Sequence, residues 1–268
     1  MKLFDLSGEV AVVIGAGGVI GGAIAEGMAE AGAAIAVLDL FPEPGEARVK
    51  SIKDKGGKAA FFKASATDDG DLKAACAAVE KSLGAPSILV NCAGGNDPKT
   101  TVSPENPVEK IPLDSWMANY NLNLVGGALL PCQVFGPGML ARGKGSIINI
   151  ASVSAHLPLS KVVSYSSAKA AVLNLSMFLA REWAPKGVRV NTITPGFFPA
   201  GQNRKLLFKD DGSPNDRTRS IWGHTPMGRF GEASELAGAA IFLASQKASG
   251  FVTGTDLRVD GGFLSQTI

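Results

Sequence analysis

The sequence predicts an α/β fold: a doubly wound, mostly parallel seven-stranded sheet with helices on both faces. Three observations predict it. Strand-length apolar runs alternate with longer segments of helical period, the pattern of repeated βαβ units. Several helical segments stop at a glycine, as helix C-termini do. A glycine-rich turn, VVIGAGGVIGG, follows the first apolar run and opens the first helical segment. The 268 residues are read as one domain over 1–268, long enough for a large buried core.

The first strand is expected at 9–14, and the helix at 19–31 closes at Gly32. Small Gly22, Ala23 and Ala25 let that helix lie close to the strand. A strand at 34–39 follows, then a helix at 43–55 stopping at Gly56, a strand at 59–63 and a helix at 69–83 stopping at Gly84. The second half continues with strands at 87–91, 146–150, 188–193 and 256–259 and helices at 113–140, 163–184 and 232–245. The rhythm breaks between Phe197 and Thr225, where Pro199, Gly201, Gly212 and Pro214 stand among charges. So long a connection is expected to be a lid (about 197–225) over a site.

A net charge of +2 with scattered basic residues offers no patch for nucleic acid. No run of about 18 apolar residues suggests a membrane span. The opening MKLFDLSGEVAVVIG is interrupted by Asp5, Ser7, Gly8 and Glu9 where a signal peptide needs an apolar stretch, so a cytoplasmic protein is expected. Cys76, Cys92 and Cys132 are odd in number and widely spaced, which fits reduced thiols rather than disulfides or zinc. His156 and His224 lack ligand spacing, and no metal is expected.

In a Rossmann unit, glycines after the first strand let the backbone approach a pyrophosphate at the positive N-terminus of the next helix. Gly15, Gly17, Gly18 and Gly21 stand where this requires, with Val19 and Ile20 opening the helix. Asp39, 18 residues after Gly21, ends the second strand. A carboxylate there accepts hydrogen bonds from adenosine ribose hydroxyls and repels a 2′-phosphate, so the expected cofactor is NAD (NADH) rather than NADP.

Tyr165 and Lys169, four residues apart on an expected helix, share one face. A phenol with a pKa of about 10 needs a neighbouring cation to act as acid or base near neutrality. Lys169 can supply that field; lowering the phenol by about 3 units requires roughly 4 kcal/mol.

Together these features resemble the classical short-chain family of dehydrogenases/reductases over nearly the whole sequence. The turn is similar to the family's T-G-x-x-x-G-x-G, with Ile14 for the Thr and Val19 for the middle Gly. NCAG at Asn91–Gly94 resembles N-N-A-G, which implies cofactor contacts at Asn91, Ala93 and Gly94. NLNLVGG places Asn123 at the family's active-site Asn, and Ser152 lies 13 residues before Tyr165, the family's serine spacing. TPG, ending at Pro195 and Gly196, resembles the P-G turn beside the nicotinamide; Phe197 and Phe198, which follow it, are expected either to wall that pocket or to pack the lid. GTDLRVDGG resembles the closing strand.

The resemblance implies that Tyr165 exchanges a proton with the substrate oxygen while Ser152 hydrogen-bonds the same oxygen. It implies that Lys169 holds the nicotinamide ribose and lowers the phenol pKa, and that Asn123 anchors a proton-relaying water. It implies a homotetramer built on the long fourth and fifth helices and the last strand. Two departures touch cofactor geometry: Ser65 stands where many relatives have an adenine-contacting Asp, and Ala200 where many have a Thr. Asp68 or Asp69 is the expected substitute for the first.

Three segments, NCAGGNDPKTT, PGFFPAGQNRKLLFKDDG and HTPMGRFG, resemble the D-mannonate oxidoreductases of this short-chain type, which interconvert D-mannonate and D-fructuronate with NAD(H). A sugar acid presents one carboxylate and many hydroxyls, so its pocket combines a cation with amides and hydroxyls. The candidates are Asn96, Lys99, His156, Lys161, Gln202, Asn203 and Arg204. Arg204 or Lys161 is expected to pair with the carboxylate, and Asn96 and Asn203 to read hydroxyls. The competing readings are an NAD-dependent dehydrogenase of another polyol, hexose or keto acid, and a nucleotide-sensing protein without turnover.

Overall fold

A computed structural model describes residues 2–199 and 207–267. Among the described residues seven strands form one parallel sheet in the order β3-β2-β1-β4-β5-β6-β7. These are β1 (Val10–Ile14), β2 (Ala34–Asp39), β3 (Ala59–Lys63), β4 (Ile88–Asn91), β5 (Gly145–Ile150), β6 (Val188–Pro195) and β7 (Asp256–Val259). β1 pairs with β2 on one side and with β4 on the other, bringing Ile14 level with Leu38 and Asn91. The strand order reverses there, and in such sheets the ligand crevice opens beyond the carboxyl ends of the strands at that point.

Alternation along β1 divides the core in two. Ala11 and Val13 face Ile24 and Met28 of α1 (Val19–Glu30) and Leu236 and Leu243 of α8 (Glu235–Ala244). Val10, Val12 and Ile14 face the opposite layer, with Leu72 and Val79 of α3 (Asp69–Ser82), Phe135 and Met139 of α5 (Leu130–Arg142) and Leu179 of α6 (Val163–Trp183). Both faces of the central strands are covered, so β1 is buried at every position. α2 (Pro42–Asp54) packs beside α1, where Glu26 joins Arg48, Ser51 and Lys55.

The expected strands agree with the observed ones to within two residues. Two expectations about the connecting segments change. The helix expected at 113–140 comprises α4 (Leu113–Tyr120), a π-helical stretch Asn121–Leu129 and α5. The joined segment Leu113–Arg142 has an apolar window of mean hydropathy 1.4, enough in length and composition to cross a membrane, yet its Cys132, Phe135 and Met139 are core residues against the sheet. Within the lid, the structure contains a helix, α7 (Asp216–His224), whose first turn is capped by Asn215 accepting from the Thr218 N–H at 3.0 Å. Its charged composition hid the helical period, and only Thr218 and Ile221 of its residues are buried.

Candidate active site

Gly15 lies at φ +79°, and a Cβ there would stand 2.9 Å from the Ala93 backbone nitrogen. A Cβ at Gly21 would stand 2.4 Å from the Gly15 carbonyl oxygen, so strand, turn and helix meet with no room for side chains. Gly17 donates its N–H to Asp39 Oδ2 at 2.9 Å, and Phe41 donates its N–H to Oδ1 at 3.1 Å. Val19 is the first residue of α1, behind an extended Gly18, and its side chain is 40% exposed. The position requires no glycine. No side chain caps the first turn of α1, which leaves its amides directed outward, and with the glycine cradle these residues fit a dinucleotide pyrophosphate.

Across the crevice, α6 carries half-buried Tyr165 and fully buried Lys169. The Ser152 hydroxyl hydrogen-bonds the phenol and also accepts from the Ser154 N–H (3.2 Å) and hydroxyl (3.1 Å). Lys169 Nζ donates to the Ile150 carbonyl at 2.8 Å and lies 5.8 Å from the Tyr165 ring centroid. Burial pushes the phenol above its ordinary range, and the Ser152 hydrogen bond draws it back. Burial also brings Lys169 down to about 8. Desolvation, and not the expected depression by Lys169, therefore sets the direction of the phenol's shift.

Asn123 lies within the π-helical stretch and is fully buried. Its Oδ1 accepts from the Gly95 N–H at 2.9 Å, and its Nδ2 donates to the Gly95 and Asn119 carbonyls at 2.8 and 2.9 Å. Both amide hydrogens are thus spent on backbone, and the side chain clamps the Gly94–Gly95 turn. Asn119, one helical turn earlier, donates to the same Gly95 carbonyl at 3.0 Å and accepts from Ser164 on α6. Sequence reasoning missed Asn119, although its spacing from Asn123 is the i,i+4 signal of a shared helix face.

Ser152 and Tyr165 open onto a cavity of about 690 Å³ that is also lined by Asn96, Lys161, Arg217 and His224. A second cavity of about 680 Å³ shares Asn96, Lys161, Val162, Phe197, Arg217 and Ile221 with it. The crevice is continuous from the serine and tyrosine to the lid.

A family model described as enoyl-(acyl carrier protein) reductase matches residues 15–264. The protein belongs to the short-chain family of dehydrogenases/reductases. It is similar to a crystal structure from Haemophilus influenzae, provisionally described as a D-mannonate oxidoreductase with bound NAD (39% identity, 98% and 97% of the two chains, TM-score 0.92). A gluconate 5-dehydrogenase from Burkholderia cenocepacia, solved with NADP and tartrate, is 35% identical over 99% and 98% of the chains at a TM-score of 0.88. A D-threitol dehydrogenase of Mycolicibacterium smegmatis is 38% identical over 97% of this chain and 94% of its own.

Of the motif residues, Ser152, Tyr165 and Gly196 line the cavity. Asn91 is fully buried and donates to Asn149 Oδ1 at 2.7 Å, so its side chain ties β4 to β5. Ala93 and Gly94 border the turn, with Gly94 at φ +146° beside Asn123 and Lys169. Pro195 ends β6, and the Gly196 N–H donates to the Val259 carbonyl at 2.9 Å. Gly196 lines the cavity near Phe197, and Phe198 packs against Gly231. Ile20 packs on the core behind Val19. Of the expected substitutes for a carboxylate at Ser65, Asp68 caps α3 through the Asp71 N–H, and Asp69 pairs with Lys73.

Among the substrate candidates, Asn96 and Lys161 line the crevice, while Lys99 is exposed and outside its lining. His156 is corrected: its ring turns away to β7, with Nε2 3.1 Å from Asp256 Oδ2 and 3.4 Å from the Thr194 hydroxyl. The histidine that lines the cavity is His224, whose ring meets Phe263 edge-on at 4.5 Å. Gln202, Asn203, Arg204 and Ala200 lie outside the described residues. Arg217 and His224 were missed because α7 itself was not expected.

Proposed function

We propose that the protein is an NAD(H)-dependent oxidoreductase that interconverts a secondary alcohol and a ketone on a sugar acid, D-mannonate and D-fructuronate. The observation that carries this reading is the Ser152–Tyr165 hydrogen bond beside buried Lys169, at one end of a crevice whose described lining includes lysine and arginine and no acidic residue. Tyr165 gives its phenolic proton to the substrate oxygen in reduction and accepts it in oxidation. Ser152 donates a hydrogen bond to that oxygen as charge develops, and the Ser154 contacts hold its hydroxyl in place. Lys169 reaches the nicotinamide ribose from beneath Gly94, and Asn123 and Asn119 fix the turn between them. When bound, the nicotinamide supplies or accepts the hydride.

Asp39 supports NAD over NADP, because two backbone N–H groups hold its negative charge at the edge of the ribose site. A cytoplasmic location and a homotetramer belong to the same proposal; the assembly is supported by the exposed Leu113 and Met117 on α4 and Met177 and Phe178 on α6, which offer apolar faces for symmetric contacts. A second reading, a neutral polyol as substrate, is favoured by the similarity to the D-threitol dehydrogenase. The test is NADH absorbance with D-fructuronate, neutral ketoses and other keto acids, repeated with NADPH. Rapid NADH oxidation by D-fructuronate supports the sugar-acid reading, and turnover confined to neutral ketoses rejects it.

A further inference from the structure

The chemistry end of the crevice is fixed by Ser152 and Tyr165, so the opposite end determines what else the substrate must carry. Two cations line both the cavity that holds Ser152 and Tyr165 and the adjoining outer one, and they come from different elements: Lys161, in the segment before α6, and Arg217, on α7. None of the described residues lining either cavity is Asp or Glu, and the remaining polar lining is amide, hydroxyl and imidazole. An exposed guanidinium in such surroundings is a ready partner for an anion.

The two cations are not equivalent. Lys161 is, among the described residues, the one non-glycine residue with a positive φ, 76°, a conformation held by the Val102 N–H donating to its carbonyl at 2.8 Å. Its charge also acts on the exposed Glu105 carboxyl, whose pKa is lowered chiefly by backbone and Ser103 hydrogen bonds and in smaller part by Lys161. Neither the Lys161 nor the Arg217 side chain makes a hydrogen bond or ion pair among the described residues, and of the two only Arg217 carries a planar guanidinium. Arg219, two residues on, is consumed by its own helix, donating to Asp216 and to the Pro214 carbonyl at 2.6 Å each. One arginine of α7 therefore serves the helix, and the other faces the crevice with no partner among the described residues.

We propose that Arg217 is the residue that selects a carboxylated substrate, its guanidinium taking the carboxylate in the outer crevice while the reacting carbon stands at Ser152 and Tyr165. The inference rests on the sugar-acid reading and assigns its specificity to α7. Lys161 adds a second, less directional charge. A planar guanidinium binds a carboxylate through two parallel hydrogen bonds, which an ammonium does not reproduce.

The test is steady-state kinetics of the full-length protein with NADH and D-fructuronate for wild type, Arg217→Gln, Arg217→Lys and Arg219→Gln. The expected result is a KM for D-fructuronate raised about 10- to 100-fold in Arg217→Gln with kcat nearly unchanged, the loss of one charge-assisted contact. Arg217→Lys is expected to recover part of it, and Arg219→Gln to match wild type. A wild-type KM in Arg217→Gln, or an equal rise in Arg219→Gln, overturns the assignment while leaving the sugar-acid reading intact. Absence of D-fructuronate turnover in the wild type overturns both and is seen before any variant is compared.

Discussion

The Gly17 N–H donates to Asp39 Oδ2 at 2.9 Å, so the residue that ends β2 also fixes the turn after β1. This places a carboxylate and a glycine cradle in one rigid unit and separates two roles of Asp39. Asp39→Asn keeps an acceptor for Gly17 but removes the charge, so its NADPH-to-NADH ratio of kcat/KM is expected to rise at least about tenfold. Asp39→Ala loses the acceptor as well and is expected to weaken both cofactors. An unchanged ratio in Asp39→Asn removes the electrostatic argument for NAD.

Lys169 is an ammonium held where burial disfavours its charge, lowering it from 10.5 to about 8. That difference corresponds to about 3 kcal/mol against the charged folded form. Between these two values the unfolded chain binds more protons than the folded one, so this group makes stability rise with pH across that window, and its destabilising contribution is full below it. Lys169→Met removes the burden but leaves the Ile150 carbonyl unpaired, at a cost of about 1 kcal/mol. The variant is expected to be about 2 kcal/mol more stable at neutral pH, with the gain fading toward pH 10. Urea unfolding at both pH values checks this; a less stable variant at neutral pH contradicts it.

Gly94 and Gly95 are adjacent but not interchangeable. A Cβ at Gly94 would lie 2.6 Å from Asn123 Oδ1, on a backbone at φ +146°, whereas a Cβ at Gly95 meets nothing within 4 Å. Gly94→Ala is expected to lose about a hundredfold in kcat/KM by displacing the clamp beside Lys169. Gly95→Ala is expected to stay within a few-fold of wild type. Equal losses in both variants contradict this account of the Asn123 clamp.

The parts of the site legible in the sequence are those fixed by local period. Tyr165 and Lys169 share a helix face because they are four residues apart, and Asp39 reaches the turn because it ends the strand next to β1. The parts that were not legible depend on contacts distant in sequence. His156 follows the serine turn, but its ring is drawn to Asp256 on β7, a partner no local pattern reveals. Asn91 matches a motif, yet it lies in the core because β5 brings Asn149 beside it. Arg217 and His224 sit on a helix started by an Asn cap and packed through Thr218 and Ile221, too little apolar signal for a helical period.

On the proposed reading, Tyr165 moves the proton in a nicotinamide-dependent reaction on a sugar acid. It is tested most directly by the initial rate of NADH oxidation with D-fructuronate, measured side by side for wild type and Tyr165→Phe. Loss of the hydroxyl is expected to lower kcat by about 10²- to 10⁴-fold while NADH binding, followed by fluorescence, is retained. A Tyr165→Phe enzyme that turns over D-fructuronate within threefold of wild type would contradict it.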